Sequence, residues 1–154
     1  MRIFVGSEHA GFTLKEQLVT HLREKGVEVD DLGSSSDEPV DYPFLAAELA
    51  ARVARGHYDR GILICGTGIG MAIAAGKVPG VRAALCTDPF MAHMCREHND
   101  ANVLCLGAWI TGSRLAFAIA DEYLATEFAG GRHRRRVEQI AEIPQKFGGE
   151  ASGG

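Results

Sequence analysis

The sequence predicts an α/β domain built on a parallel sheet with helices on both faces. Three observations carry that prediction. Short apolar or β-branched runs alternate with segments of helical periodicity along the chain. The central runs, above all Gly61-Ile62-Leu63-Ile64-Cys65, are apolar at every position rather than at alternate ones, as strands covered on both faces must be. Glycine, at 19 of 154 residues, collects at the ends of those runs, where backbone must turn or approach something closely.

Taken in order, Ile3-Phe4-Val5 is a first strand ending at Gly6. Phe12, Leu14, Leu18, Val19 and Leu22 recur at helical spacing, and Gly26 stands where a C-cap ends the helix. Val27, Val29 and Leu32 alternate as a second strand, and Gly33 to Pro43 is an exposed loop of serines, prolines and acidic residues. Phe44 to Arg55 is helical and Gly56 stops it; Gly61 to Cys65 is the third strand. The glycine loop Gly66-Thr67-Gly68-Ile69-Gly70 leads into a short Ala-rich helix. Val81 to Cys86 reads as the fourth strand, Asp88 to His98 as a helix, Val103 to Leu106 as the fifth strand and Arg114 to Ala125 as a further helix. Val137, Ile140 and Ile143 mark a last helix. One domain is expected over residues 1–147. Residues 148–154 (GGEASGG) have nothing to pack and are expected to form a flexible tail.

An apolar fraction of 46% and a charged fraction of 23% exclude wholesale disorder, a collagen-like fibre and a coiled coil. No apolar run approaches the ~18 residues of a membrane span. The start, MRIFVGSEHAGF, has only three apolar residues between Arg2 and Gly6, unlike a signal peptide, so a cytoplasmic protein with no membrane partner is expected. The net charge of −4 argues against general nucleic-acid affinity. The run Arg132-His133-Arg134-Arg135-Arg136 departs from that balance and suits a small anion. None of the four cysteines forms a CxxC pair, and reduced thiols are expected.

In open parallel sheets ligands collect beyond the carboxyl ends of the strands, at helix N-termini. Three strand ends carry Gly6-Ser7-Glu8-His9-Ala10-Gly11, Cys65 to Gly70, and Thr87-Asp88-Pro89. His98-Asn99-Asp100, closing the fourth helix, is expected at the same edge. GTGIG is not the dinucleotide fingerprint, whose spacing is G-x-G-x-x-G after the first strand, and by itself it is as well read as a tight turn. Cys65 shifts that balance. Cys86 and Cys105 are expected to be inert core thiols, but Cys65 ends its strand facing a helix N-terminus, where dipole and N–H groups favour the thiolate. The amides of Gly66 to Gly70 could hold an oxyanion. A base beside such a cradle suits proton abstraction next to a carbonyl. His93 and His98 lie five apart, about 140° around a helix, and no Cys/His spacing fits zinc, so no metal is expected. Arg132 and Arg136 share a helix face, either as a solvated charge run or as a phosphate site. His98 alone reads more simply as a helix-end residue, His21 and His57 as solvated ones, and His93 stays open between surface and pocket rim.

The stretches GSEHAGFTLKEQL, DYP at Asp41-Tyr42-Pro43, GILICGTGIGMAIAAGKVPGVRAAL, HNDANV from His98 and GGRHRRRV from Gly130 together resemble the ribose-5-phosphate isomerase B / galactose-6-phosphate isomerase family, in the family's order from residue 1 to about 145. The resemblance implies a Rossmann-like three-layer α/β/α sandwich with a five-stranded parallel sheet, no cofactor, and a homodimer with active sites between subunits, a tetramer being left open. It implies aldose–ketose isomerisation of sugar phosphates, ribose 5-phosphate and ribulose 5-phosphate first, through a cis-enediolate. By resemblance Cys65 is the base, Thr67 and the amides of Gly66, Gly68, Ile69 and Gly70 hold the enediolate, and His98, with Asn99 beside it, opens the sugar ring. His9, Arg132 and Arg136 match phosphate contacts, the arginines reaching into the partner's site.

Three positions depart from the family pattern. Glu8 replaces the usual Asp, Gly76 stands in an Ala-Asn-Lys motif, and Trp109 stands where Gly-Ser-Arg is common, removing a cation and adding bulk. Trp109 either fills part of the pocket, favouring a shorter substrate such as a tetrose/tetrulose 4-phosphate, or turns outward in an ordinary pentose enzyme. A hexose 6-phosphate such as allose or galactose is a further alternative. A catalytically idle sugar-phosphate-binding protein is the reading from another class, and a nucleotide-binding module a third.

Overall fold

The computed structural model describes residues 1–148. Strands β1 (Arg2–Ser7), β2 (Glu28–Gly33), β3 (Arg60–Cys65), β4 (Ala83–Leu85) and β5 (Val103–Gly107) form one all-parallel sheet in the order β2-β1-β3-β5-β4. Helices α1 (Phe12–Glu24), α2 (Tyr42–Ala54), α3 (Ile69–Gly76), α4 (Pro89–Glu97), α5 (Ser113–Ala125) and α6 (Arg132–Phe147) complete the described residues, with a 3-10 turn at His9–Gly11. All six residues of central β3 are buried, the five from Gly61 to Cys65 as an unbroken apolar run requires and Arg60 through its hydrogen bonds to main-chain carbonyls.

Side-chain alternation divides the core in two. Ile3, Val5, Ile62, Ile64, Leu104 and Leu106 face α1, α4 and α5. Phe4, Leu63, Cys65, Val103 and Cys105 face α2 and α3. This is a Rossmann-like three-layer α/β/α sandwich. Glycine is needed where the layers touch most closely. A Cβ on Gly61 would lie 2.4 Å from the Phe4 ring, and one on Gly11 would lie 2.5 Å from the Ile64 carbonyl oxygen.

Several element ends differ from expectation. The fourth strand is only three residues long, because it is a sheet edge and Arg82 before it gives its own N–H to the Asn102 side chain and its guanidinium to Asp100. Helix α2 begins two residues early, at Tyr42, with Pro43 in its first turn, where a missing N–H costs nothing. Asp88 is the N-cap of α4 rather than its first residue, accepting the Met91 N–H at 2.9 Å. Of the expected tail, Gly148 closes α6 through an N–H to the Pro144 carbonyl; residues 149–154 lie outside the described residues.

Chain direction fixes the placement of functional groups. Each helix after a strand runs back against the sheet, so its C-terminus lies where the strands begin. Around that edge Arg60 and Arg96, both nearly sealed, give their guanidinium protons to main-chain carbonyls: Arg60 to Tyr123 and Leu124, Arg96 to Ala101 and Thr126. Asp100 adds a carboxylate to both Arg82 and Arg96. The end of α4 and the start of α6 are thereby fastened to one another, the Ala129 N–H bonding the Glu97 carbonyl at 3.0 Å.

Candidate active site

The carboxyl edge of the sheet gathers the ends of β1, β3 and β5. Cys65 closes β3 and pairs in register with Gly107 of β5. Its sulfur points at the glycine turn, and the Gly68 N–H donates to Sγ at 3.1 Å. The residue is 7% exposed, at the boundary between the α2/α3 core and the surface. Cys86 and Cys105 lie deeper, as expected of inert thiols, and burial pushes the Cys105 thiol well above its ordinary range.

The loop after Cys65 needs its glycines. Gly68 has φ +79°, and a Cβ there would lie 2.9 Å from the Leu106 carbonyl carbon. Gly107 brings β5 so close that a Cβ on it would lie 2.6 Å from Thr67 backbone atoms. Held in this way, Thr67 accepts the Ile69 N–H on Oγ1 at 3.3 Å, and α3 starts at Ile69 with its first amides directed to the loop. Gly68→Ala is expected to destabilise the fold by about 2–4 kcal/mol, combining left-handed strain with a backbone clash. That lowers the melting temperature by roughly 4–16 °C and reduces turnover, both measurable by thermal denaturation and assay.

Two aromatic rings flank this loop. The Trp109 indole lies against Gly66, where a Cβ would be 2.6 Å from the ring, and the Tyr42 ring lies against Gly70 at the same 2.6 Å. The Trp109 main chain is fastened there too, its N–H donating to the Gly66 carbonyl at 2.9 Å. The ring lies over the loop on one side and faces solvent on the other, 74% of the residue being exposed. Tyr42 was legible only as part of the DYP motif; a glycine that could carry no side chain at position 70 is the signal that marks it.

Glu8 and His9 sit beyond β1 at the same edge. Glu8 is buried, with one carboxylate oxygen accepting the Gly11 N–H at 3.2 Å and the other 2.7 Å from His9 Nδ1. The Val40 N–H also approaches that nitrogen, at 3.3 Å. A proton on Nδ1 serves Glu8; a bare Nδ1 accepts from Val40.

His98, Asn99, Arg132 and Arg136 are elsewhere. The expectation that His98 joins Cys65 at one edge is corrected: His98 is the C-cap of α4, and α4 runs back from the carboxyl edge to the amino edge. There its imidazole stacks on that of His133, ring centroids 4.0 Å apart and 13° from parallel. Desolvation, followed by His98 and the cations of Arg132 and Arg136, holds the His133 imidazole below its ordinary range. His133, buried between exposed Arg132 and Arg134, is the second residue that sequence reasoning passed over; one buried position in a charged run is its signature. Asn99 and Arg136 line one shallow cleft beside α6. His93 belongs to neither group: it bridges Glu97 and Glu122 between α4 and α5, at 2.5 and 2.6 Å. His21 is half-buried, stacked on Phe117 and paired with Asp121. A Cβ on Gly76 would meet nothing within 4 Å, and the residue lines a shallow cleft with Asn99 and Ile140. Among the described residues no group of three or more His, Cys, Asp or Glu is placed to hold a metal ion.

A strand-end thiol under a loop of backbone donors thus lies at one edge of a doubly covered parallel sheet, and a cluster of histidines and arginines at the other. Comparison with known proteins supplies the class. The family model described as ribose/galactose isomerase matches residues 3–140. Ribose-5-phosphate isomerase B of Escherichia coli K12 is 49% identical over 145 residues, covering 94% of this chain and 97% of that protein. A solved structure of Clostridium thermocellum ribose-5-phosphate isomerase B is 51% identical and superposes with a TM-score of 0.93, covering 96% and 99% of the two chains. A more distant relative, 4-deoxy-4-sulfo-D-erythrose isomerase of Clostridium sp. MSTE9, is 41% identical over 149 residues, 96% of this chain and 94% of that protein. The chain belongs to the ribose/galactose isomerase family. It is an aldose–ketose isomerase.

Proposed function

We propose that the enzyme interconverts ribose 5-phosphate and ribulose 5-phosphate through a cis-enediolate, with Cys65 as the base. The observation that carries the reading is the Cys65 sulfur turned to the glycine loop, with the Gly68 N–H on it at 3.1 Å. Its support on the substrate side is the likeness to two ribose-5-phosphate isomerases B along nearly their whole length.

Chemistry begins with the closed sugar. His98, from a partner subunit, takes the proton of the C1 hydroxyl and gives it to the ring oxygen as the bond between C1 and that oxygen breaks to leave the aldehyde. Cys65 Sγ then removes hydrogen from C2 as a proton. The electron pair left behind forms the C1–C2 double bond and moves the carbonyl pair onto O1. The Thr67 hydroxyl and the amides of Gly66, Gly68, Ile69 and Gly70 take up that negative oxygen, those of Gly68 and Ile69 turning to it from Cys65 Sγ and Thr67 Oγ1. Sulfur returns its proton to C1 as the O2 proton passes to O1, and the ketose results. His9 on one side and Arg132 and Arg136 of the partner on the other hold the phosphate. No step draws on a cofactor or a metal.

This mechanism needs two copies of the chain, because one chain holds the base at one sheet edge and the ring-opening histidine at the other. A homodimer is supported by apolar side chains that the single chain leaves in solvent, among them Phe44, Ile73, Phe90 and Ile110, each at least 60% exposed. A cytoplasmic location is part of the same proposal, by likeness to sugar-phosphate isomerases; separately, no helix among the described residues is long and apolar enough to cross a membrane.

Incubation with ribose 5-phosphate in deuterium oxide tests the reading. Ribulose 5-phosphate carrying deuterium at C1, at least in part, is the expected product. Binding without product or deuterium incorporation overturns the reading in favour of a catalytically idle sugar-phosphate-binding protein.

A further inference from the structure

We infer that Cys86 and Cys95 form a reversible redox pair, in which hydrogen peroxide oxidises Cys95 to a sulfenic acid and Cys86 resolves it as a disulfide. The pair lies away from the Cys65 edge, and the inference does not depend on the reaction catalysed there.

The geometry has three parts. The two sulfurs face one another at 3.9 Å, and both are free thiols. Cys86 follows β4 directly, its N–H donating to the Cys105 carbonyl at 3.2 Å, and Cys95 lies in the last turn of α4, its carbonyl accepting the Ala101 N–H at 2.9 Å. A cysteine sulfur is set by one χ angle, so backbones held in this way leave each sulfur only a few positions. A disulfide of about 2.05 Å needs the sulfurs about 1.9 Å closer, which is the scale of movement that rotation about the two Cα–Cβ bonds supplies.

The two thiols are also unequal. The Cys86 S–H donates to the Cys95 sulfur, and the Cys95 S–H is directed to the Ala92 carbonyl at 3.2 Å. That bond from Cys86, with the Arg96 and Arg60 cations behind it, holds the Cys95 thiol below its ordinary range despite burial. The same bond, together with burial, pushes the Cys86 thiol up. Cys95 is therefore the first nucleophile. Toward solvent Cys86 is inert, as its depth implies, and it reacts only with a sulfur already oxidised beside it.

There is, third, a way in. Cys86 is 1% exposed and Cys95 8%, and Cys95 borders the cleft of about 310 Å³ that Gly76, Asn99 and Ile140 line. Hydrogen peroxide is little larger than water and fits such an opening. The Cys95 sulfur attacks one peroxide oxygen, the O–O bond breaks, and the thiol proton leaves with the other oxygen as water. Cys86 then attacks the sulfenic sulfur: the S–S bond forms, the S–O bond breaks, and hydroxide leaves with the Cys86 proton as a second water. Two thiols are oxidised and one peroxide is reduced. A thiol reductant reverses the bridge, so the pair cycles rather than serving as a structural staple.

Peptide mapping tests the pair. Reduced protein is exposed to hydrogen peroxide, alkylated with iodoacetamide and cut with trypsin; the peptide Ala83–Arg96 contains Cys86 and Cys95 and no other cysteine. It is expected two hydrogens lighter and unalkylated, and alkylated at both positions if dithiothreitol is added before alkylation. In Cys86→Ser, whose hydroxyl still donates to the Cys95 sulfur, the sulfenic acid has no resolving partner. Dimedone is then expected to label Cys95 about tenfold more than it labels Cys86 in Cys95→Ser. A parent protein in which both residues are still alkylated after prolonged exposure to excess peroxide overturns the inference, and this readout needs no variant. So does a Cys95 driven to sulfinic acid while Cys86 remains free, or equal dimedone labelling of the two variants.

Discussion

Cys65→Ala is expected to lower isomerisation by roughly 10²–10⁴-fold, the contribution of a positioned general base. The fold should survive, because the side chain lost is small and sits at the boundary of the α2/α3 core rather than at its centre. A cost of about 1 kcal/mol, equivalent to roughly 2–4 °C in melting temperature, is the scale to expect. The two readouts therefore separate: activity collapses while the unfolding transition moves little. Cys65→Ser sharpens the result. A hydroxyl there can still accept the Gly68 N–H and fill nearly the same space, so the loop geometry is kept, but an alcohol is a far poorer acid–base group near neutral pH. Near-normal turnover in either variant would place the base elsewhere. Deuterium incorporation gives an independent check, since exchange at carbon requires the proton to leave it.

The sheet and the loop were legible because they depend on local chemistry. Five consecutive apolar residues from a doubly covered strand, a glycine cluster at its end and helical spacing on either side each have one economical explanation. Cys65 could be distinguished from Cys86 and Cys105 by the same logic, since only one of the three ends its strand at a glycine loop. Strand order was not legible. Nothing in the residues between β3 and β5 says that β4 lies outside β5, because that depends on which faces α3 and α4 cover together. Trp109 illustrates a second kind of limit. Its neighbours in sequence show a strand end and a turn, but the contact that matters is with Gly66, forty-three residues earlier, and it exists because Gly66 has no side chain. His133 is a third case: a histidine inside a run of arginines reads as solvent-facing, and only the return of α6 to the end of α4 buries it against His98.

His98 is the most instructive placement, and it leads to the second large effect. Sequence order puts His98 just before a strand, and strands point toward the catalytic edge, which invites the conclusion that it arrives there. It does not, since the residues that precede a parallel strand are at its amino end. Between that end and Gly107 lie the five residues of β5, roughly 15 Å at 3.3 Å per residue. A histidine side chain fastened by stacking on His133 cannot span that gap to its own Cys65. Two chains related by a twofold axis can close it, because each then offers its amino edge to the other's carboxyl edge, making two equivalent sites per dimer. Complementation between inactive variants measures this directly. Cys65→Ala and His98→Ala homodimers are each expected to be reduced by roughly 10²–10⁴-fold, since every site lacks one acid–base group. When the two are co-expressed with different tags and the heterodimer is isolated, one site contains both lesions and the other contains neither. Its rate should therefore recover to roughly half that of the parent, a gain that no arrangement with both groups from one chain could give. A heterodimer as inactive as its parents would mean that base and ring-opening histidine serve the same chain's site. The strand-length argument would then have to be wrong about where α4 ends, which the stack with His133 and the bond from Ala129 to Glu97 both oppose.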